Sequence, residues 1–159
     1  KALLEDLALF GIRELHDAQT ASLAGSQHGL DKLKRLAVAY VDFARARPGA
    51  YRLIFHVNNP SEESPSVTMA RTAAASLMVQ AIGESQEQQL VTDGPVDVLA
   101  FALWSAAHGL SHLLISEQVE AFTEASADID STIDFALNRY LHGIATARGR
   151  RWLDTLTHG

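Results

Sequence analysis

Hydrophobic residues recur at intervals of three and four positions through most of this chain, which is the spacing of one face of an α-helix. No alternating run of apolar and polar residues is long enough to predict a strand. Glycine, proline and short polar clusters interrupt the pattern and mark the turns. The pattern predicts an all-α bundle of about six helices, at 2–24, 30–47, a short helix from Pro48, 66–90, 98–116 and 129–144.

The segment 98–116 is a long apolar stretch without a formal charge. Trp104, His108 and His112 are spaced four residues apart within it, so they lie on one face of a helix. We expect this helix to be buried nearly all round and to carry a short polar line. Its length would also span a bilayer. Its serines and histidines, and the lack of interfacial anchors at both ends, favour instead the central helix of a soluble bundle, with no membrane partner.

The polar line has two interpretations. It is what a small-molecule cavity inside a helical bundle needs, and it is also what buried histidines with hydrogen-bond partners look like. Aromatic residues and methionines on the other helices favour the cavity when they are taken together, although each one alone is explained as core. The candidate cavity residues are Phe10, Tyr40, Tyr51, Phe55, Met78, Phe101, Trp104 and His108, with Met69 beside Met78 on the same helix.

The last predicted helix carries a regular hydrophobic stripe that follows a helix already expected to be buried. The small residues Ala136, Gly143 and Ala145 would permit another helix to approach closely. Two such chains related by a two-fold axis would form a four-helix bundle between subunits; alternatively, the stripe packs on its own chain. The candidate dimer-interface residues are Leu113, Ile129, Ile133, Ala136, Leu137 and Tyr140.

Catalytic and metal-binding motifs are weak in this sequence. His108 and His112 have the spacing of two ligands on one metal ion, but Gly109 stands where a zincin-like motif has glutamate. No nucleophile elbow and no glycine-rich phosphate loop occur. We therefore expect no catalytic residue, no metal and no cofactor. A helical hydrolase or metal protein using the histidine pair remains an alternative.

Composition narrows the class of protein further. The length of 159 residues predicts one domain, which we place at 1–147, followed by a basic tail at 148–159 that begins with Arg148, Arg150 and Arg151. A net charge of −6 offers no general footprint for nucleic acid, and the absence of cysteine agrees with a cytoplasmic protein. Because the sequence starts inside a helical pattern without Met, we expect it to be part of a longer chain.

Three segments carry a resemblance to a known family. They are KALLE at 1–5, LAVAYVDFARARPGAYRLIF at 36–55, and ALWSAAHGLSHLL at 102–114, which contains Trp104, His108 and Gly109. Together they resemble the C-terminal ligand-binding and dimerisation domain of TetR-family transcriptional regulators, and more narrowly a subgroup with a Trp-His-Gly motif. The resemblance covers essentially the whole chain.

This resemblance implies a homodimeric, repressor-like regulator whose last two long helices form the dimer bundle. A small apolar or amphipathic effector would enter a cavity beside Trp104 and His108, with Tyr51 and Phe55 near its mouth or hinge. Gly109 would permit tight packing of the central helix. The family's N-terminal helix-turn-helix domain is absent from these 159 residues, so operator DNA would be a partner only through that domain. A ligand-free interaction module with a filled core remains a further alternative.

Overall fold

The structure, a computed structural model, describes residues 2–56, 64–119 and 128–156. The described residues contain no strand, and one isolated bridge joins Val91 to Ala145. The predicted all-α fold is confirmed. Seven helices cover most of the described chain: α1 Ala2–Ser22, α2 Gly29–Ala46, α3 Pro48–His56, α4 Pro65–Glu87, α5 Val96–Ile115, α6 Ile129–Ile144 and α7 Ala147–Leu156.

Helix α2 forms the centre of the bundle and contacts α1, α3, α4, α5 and α6. Nine of its 18 residues are buried, at the helical spacing seen in Leu33, Leu36, Tyr40 and Ala44. Burial of one leucine side chain contributes roughly 1.5–3 kcal/mol to folding. The apolar stripe of α2 therefore accounts for much of the stability of the bundle.

Local sequence explains where the first three helices begin and end. Helix α1 is followed by Gly25, whose φ of +76° lets the chain turn back towards α2. Pro48 begins α3 because proline is tolerated in the first turn of a helix, where its missing N–H is not needed. These boundaries agree with the predicted ones to within about two residues. The sequence also predicts a polar loop at 58–65, and this segment lies almost wholly outside the described residues.

Helix α5 is not buried nearly all round, and that expectation is wrong. Only Ala100, Leu103, Ala107 and Ser111 are buried, all on the side that faces the bundle. On the opposite side Val98 is 57% exposed and Phe101, although it also borders a cavity, is 64% exposed. A segment without charges places apolar residues on every side of its helix. The other described helices pack against only one part of α5, so the apolar residues on its remaining sides stay exposed.

The length and composition of α5 also make it the one helix among the described residues that is apolar enough to cross a membrane. Such a helix is equally typical of a bundle core. The contacts of α5 with α2, α4 and α6 place its buried side in this bundle.

Helix α6 directs its hydrophobic stripe inward rather than outward. Ile133 and Leu137 are buried in the chain's own core, so they present no surface to a partner. Burial of this stripe sets the orientation of α6, and exposed ion pairs accompany it, since Lys34 and Arg45 of α2 reach Asp134 and Asp130 of α6 at 2.7 and 2.6 Å. Of the other predicted interface residues, Leu113, Ile129 and Tyr140 are half-buried and Ala136 is exposed. The exposed side of the two helices, here called the α5/α6 face, comprises Val98, Phe101, Ser105, Gly109, Phe135, Ala136, Arg139 and Gly143.

The predicted basic tail is a helix. In α7, Gly149 and Leu153 are buried and the Trp152 ring lies 5.4 Å from the His28 ring. Gly149 permits this packing, since a Cβ there would lie 2.0 Å from the carbonyl oxygen of Leu90. The apolar positions of α7 are few and its arginines face outward, which is why the sequence pattern suggested a solvated end.

Candidate ligand-binding cavity

A cavity of about 420 Å³ lies between α1, α3, α4 and α5, with one side chain of α2 in its wall. Its lining is predominantly apolar. The residues around it are Ile12, Leu15, Gln19, Tyr40, Ile54, Phe55, Arg71, Ala74, Ala75, Met78, Val79, Asp97, Ala100, Phe101 and Trp104.

Helix α4 creates the space because it presents small side chains to the cavity. Ala74 and Ala75 lie in the middle of its inner side, between Arg71 and Met78. Protein interiors are otherwise packed as densely as organic crystals, so an opening of this size needs wall residues that do not reach across it. Ala74 and Ala75 therefore border a cavity rather than a filled core.

Aromatic rings form the wall opposite these alanines. The Trp104 ring centre lies 5.9 Å from that of Phe101 and 6.3 Å from that of Phe55. Tyr40 lies 6.4 Å from Phe55 in the same measure. Such contacts hold each ring in place, so the wall is formed before any ligand arrives.

Tyr40 of this wall forms a hydrogen-bonded cluster with Tyr51 and His108, which lie behind it. His108 Nδ1 lies 2.8 Å from the hydroxyl of Tyr40 and 2.8 Å from that of Tyr51. The Tyr51 hydroxyl also donates to the backbone carbonyl of His108 at 3.2 Å. The Tyr51 proton goes to the carbonyl, and the direction of each contact between a hydroxyl and Nδ1 is set by the tautomer of His108.

Burial keeps this cluster uncharged near neutral pH. It lowers the pKa of His108, an effect that the neighbouring His112 reinforces electrostatically. Burial also raises the pKa of both tyrosine hydroxyls. The cluster is therefore a neutral hydrogen-bonded support of the cavity wall.

Three polar residues of the cavity escaped the sequence analysis: Gln19, Arg71 and Asp97. Gln19 and Arg71 had a usable signal, because Gln19 follows Leu15 by four residues on the inner side of α1, and Arg71 precedes Ala74 and Ala75 by three and four residues on α4. The apolar pattern alone cannot distinguish a polar residue on a cavity wall from one at the edge of a stripe.

The structure brings most of the candidate cavity residues together. Five of them line the cavity: Tyr40, Phe55, Met78, Phe101 and Trp104. Tyr51 and His108 stand one layer behind, in the hydrogen-bonded cluster. Phe10 does not line the cavity and is 57% exposed, because it lies on the outer side of α1. Met69 also lies outside it, on a second pocket between α1 and α4.

The structure changes two interpretations of residues on α5: a metal-ligand role for His112 and close helix packing at Gly109. His112 is exposed, and the described residues include no group of three or more potential metal ligands. Gly109 does not serve close packing inside the chain, because an added Cβ would meet nothing within 4 Å. Both residues lie towards solvent on α5.

Comparisons with known proteins agree on the fold. Residues 33–140 match the family model described as tetracyclin repressor-like, C-terminal domain. Among solved structures, a protein of unknown function from Rhodococcus sp. RHA1 is similar with a TM-score of 0.82 and 24% identity, over 91% of this chain and 74% of that one. A bacterial regulatory protein in the tetR family from Rhodococcus RHA1 has a TM-score of 0.73 and 16% identity, over 92% and 75%. Among curated proteins, none matches significantly.

Proposed function

Because this chain belongs to the tetracyclin repressor-like C-terminal domain family, we propose that it is the effector-sensing and dimerisation domain of a cytoplasmic transcriptional regulator, acting as a repressor. A small apolar or amphipathic effector binds in the cavity. Its binding is transmitted to operator DNA through an N-terminal helix-turn-helix domain that lies outside this sequence. The observation that carries the proposal is the apolar cavity with a preformed aromatic wall.

The size and lining of the cavity support effector binding. Sites for small molecules are typically of roughly 300–1,000 Å³, mostly apolar, with a few polar groups that orient the ligand. This cavity of about 420 Å³ has that character, and its neutral Tyr40–Tyr51–His108 cluster stabilises the wall from behind.

The α5/α6 face supports homodimerisation. Val98, Phe101 and Phe135 are large apolar residues that the chain leaves exposed on two adjacent helices. The two helices are linked by the Tyr140 hydroxyl, which donates to the carbonyl of Leu99 at 3.3 Å. Gly109 and Gly143 add open surface to the same face. A second copy related by a two-fold axis would cover this face and complete a four-helix bundle.

Phe101 offers a physical link between the two roles. It borders the cavity and also belongs to the α5/α6 face. An effector that moves this side chain changes the surface offered to the second subunit. Coupling of this kind requires that the effector bind one arrangement of the dimer more tightly than the other.

The cavity proposal is tested with Trp104→Ala and a matched control. N-phenyl-1-naphthylamine, a neutral apolar fluorophore, serves as the ligand in titrations of the purified chain. We expect Trp104→Ala to weaken binding at least tenfold, because the aromatic wall is lost, and to leave the dimer intact. Trp152→Ala removes the other tryptophan, which packs against His28 away from the cavity, and should change affinity less than twofold.

Three outcomes would contradict the proposal. Equal loss of affinity and of dimer in Trp104→Ala would mean that Trp104 is simply core. No binding of the fluorophore to the unmodified chain would favour the ligand-free interaction module. A bound metal ion in the purified protein, lost in a His108→Gln variant, would favour the metal-protein alternative.

A further inference from the structure

The mouth of the cavity lies between α4 and α5. Most of the lining residues are buried or half-buried, so the exposed ones mark where the cavity meets solvent. These exposed residues are Ala75 on α4 and Asp97 and Phe101 on α5. Because Ala75 carries only a methyl group, α4 leaves the mouth open, and α5 supplies the chemical groups that a ligand meets there.

Asp97 places a negative charge at this mouth. It lies in the first turn of α5 and lines the cavity. Within the described residues, no basic side chain and no hydrogen-bond donor pairs with its carboxylate. The carboxylate therefore attracts the positively charged group of a ligand at the mouth and repels a negatively charged one.

Two aromatic rings continue from Asp97 along the inner side of α5. Phe101 follows Asp97 by four residues and Trp104 follows it by seven, so the three side chains lie on one side of the helix. The two ring centres are 5.9 Å apart. The face of an aromatic ring attracts a cation and also packs against apolar groups. A carboxylate followed by two rings therefore matches a ligand with a positive head group and an apolar body.

The positive charge of Arg71 lies in another part of the cavity. Its guanidinium donates to the carbonyl of Ile54 and lies 5.8 Å from the ring centre of Phe55, which in turn neighbours Trp104. Trp104 is seven residues from Asp97, which is about 10 Å at the helical rise of 1.5 Å per residue. A head group at the mouth is therefore nearer to Asp97 than to Arg71.

Helix stability offers a second explanation for Asp97. An acidic residue in the first turn interacts favourably with the positive end of the helix dipole. The same benefit would come from an acid at the position of Val98, which faces solvent on the same turn. The dipole therefore explains an acid in the first turn, whereas it does not explain an acid on the wall of an apolar cavity. The two explanations differ in what they predict for ligand binding.

We propose that the cavity selects a cationic amphiphile, with its positive head group at the mouth beside Asp97 and Phe101 and its apolar body inside against Trp104. The inference rests on the proposed effector-binding function and adds the charge and orientation of the ligand. A head group at the mouth keeps part of its hydration, so the cost of desolvating its charge is small. The net charge of −6 also favours the approach of a cation.

Three eight-carbon probes test this proposal: octylamine, 1-octanol and octanoate. They share an alkyl chain and differ in the charge of the head group at pH 7. Isothermal titration calorimetry of the purified chain measures each affinity directly. We expect octylamine to bind about three- to tenfold more tightly than 1-octanol, because only the ammonium group is attracted by Asp97 and by the ring of Phe101. Octanoate should bind more weakly than 1-octanol, because Asp97 repels it.

Three variants identify the source of the preference. Asp97→Asn removes the charge and keeps the shape of the side chain, so the affinities for octylamine and 1-octanol should come within about twofold of each other. Asp97→Glu keeps the charge and should retain the preference. Asp6→Asn is the matched control, because Asp6 is exposed on α1 outside the lining and its replacement changes the net charge equally. It should also retain the preference.

Phe101→Leu tests the contribution of the ring. Leucine remains apolar but has no aromatic face, so the ratio of octylamine to 1-octanol affinity should fall about two- to fivefold. Both probes are measured on the same variant, so any effect of Phe101 on the dimer enters both affinities. An unchanged ratio would remove Phe101 from the proposed head-group site.

The outcomes distinguish this inference from the proposed function. If N-phenyl-1-naphthylamine binds but the three probes bind equally, or octanoate binds most tightly, the inference is overturned and the effector-binding function stands. If Asp97→Asn and Asp6→Asn weaken the preference equally, overall charge is its source and the role of Asp97 is wrong. If circular dichroism shows that Asp97→Asn does not fold, the order of the three affinities in the unmodified chain decides. If neither the fluorophore nor any probe binds, both proposals fail.

Discussion

Helices α2 and α5 are neighbours in the bundle, but they use their apolar residues differently. Helix α2 carries several charges, and nine of its 18 residues are buried. Helix α5 has only one charged residue, Asp97, and just four of its 20 residues are buried. Helix α2 is surrounded by five other helices, whereas α5 borders the cavity on one side and the α5/α6 face on another.

This difference shows what an excess of apolar residues indicates. Where the chain cannot bury all the apolar residues of a helix, the remaining ones mark surfaces for a ligand or a partner. The apolar stripe of α2 is buried against the neighbouring helices of the same chain, so none of it is left for a ligand or a partner. The excess on α5 borders a cavity at Trp104 and solvent at Val98, with Phe101 on both. Large exposed apolar surface of this kind is typical of interaction sites.

The largest expected effect comes from truncating the core of α2. Leu33→Ala should lower the free energy of unfolding by about 2–5 kcal/mol, because a fully buried side chain is lost and a cavity remains. Val98→Ala on the exposed side of α5 should change it by less than about 0.5 kcal/mol. Urea unfolding in a monomeric background measures both. Equal losses would show that the two helices are buried alike.

The second prediction concerns the uncovered surface. Phe135→Glu places a charge on the α5/α6 face and should raise the dissociation constant of the proposed dimer at least 100-fold, since the charge would have to be desolvated on association. Sedimentation velocity over a range of concentrations measures this, and the same variant supplies the monomeric background for Leu33→Ala.

The matched control for that experiment is Met69→Glu. Met69 is also a large exposed hydrophobic residue, but it lies on α4 away from the α5/α6 face. Its replacement should leave the association unchanged. Dissociation by Met69→Glu, with Phe135→Glu still dimeric, would place the interface on the α1–α4 side instead.

The smallest expected effect is a pH dependence from α5. Burial lowers the pKa of His108 in the folded chain, so between that lowered pKa and the ordinary value of about 6.5 the unfolded chain binds more protons. This contribution to stability is fully present above about pH 6.5 and is lost as the pH falls through the pKa of the folded state. Unfolding by urea at pH 5 to 8 should show a loss at low pH that is reduced in His108→Gln.

His112→Gln is the control for the pH experiment. It retains the buried imidazole, and burial is the larger cause of the lowered pKa of His108. Most of the pH dependence should therefore persist in this variant. A pH dependence that disappears in His112→Gln and persists in His108→Gln would exclude His108 as its source.

Much of the candidate site was accessible from the sequence because aromatic residues at helical spacing are conspicuous. Phe55, Phe101 and Trp104 line the cavity as the pattern suggested. Phe10 was misplaced because α1 exposes several large apolar residues, so hydrophobicity alone does not identify its inner side. Gln19 was missed because a polar residue within a stripe is significant only when its hydrogen-bond partners are known.

The amino-acid sequence by itself determined the first six helices and their approximate limits, since helical periodicity, Pro48 at the start of α3 and the glycine turn after α1 act through neighbouring residues. Only the tertiary structure decided which sides are covered. The repeat in α6 places Ile133 and Leu137 on one side of a helix, but only the packing of α6 against α2 shows that this side is buried within the chain itself. The space beside the alanines of α4 likewise arises from the distances between four helices, which no local pattern contains.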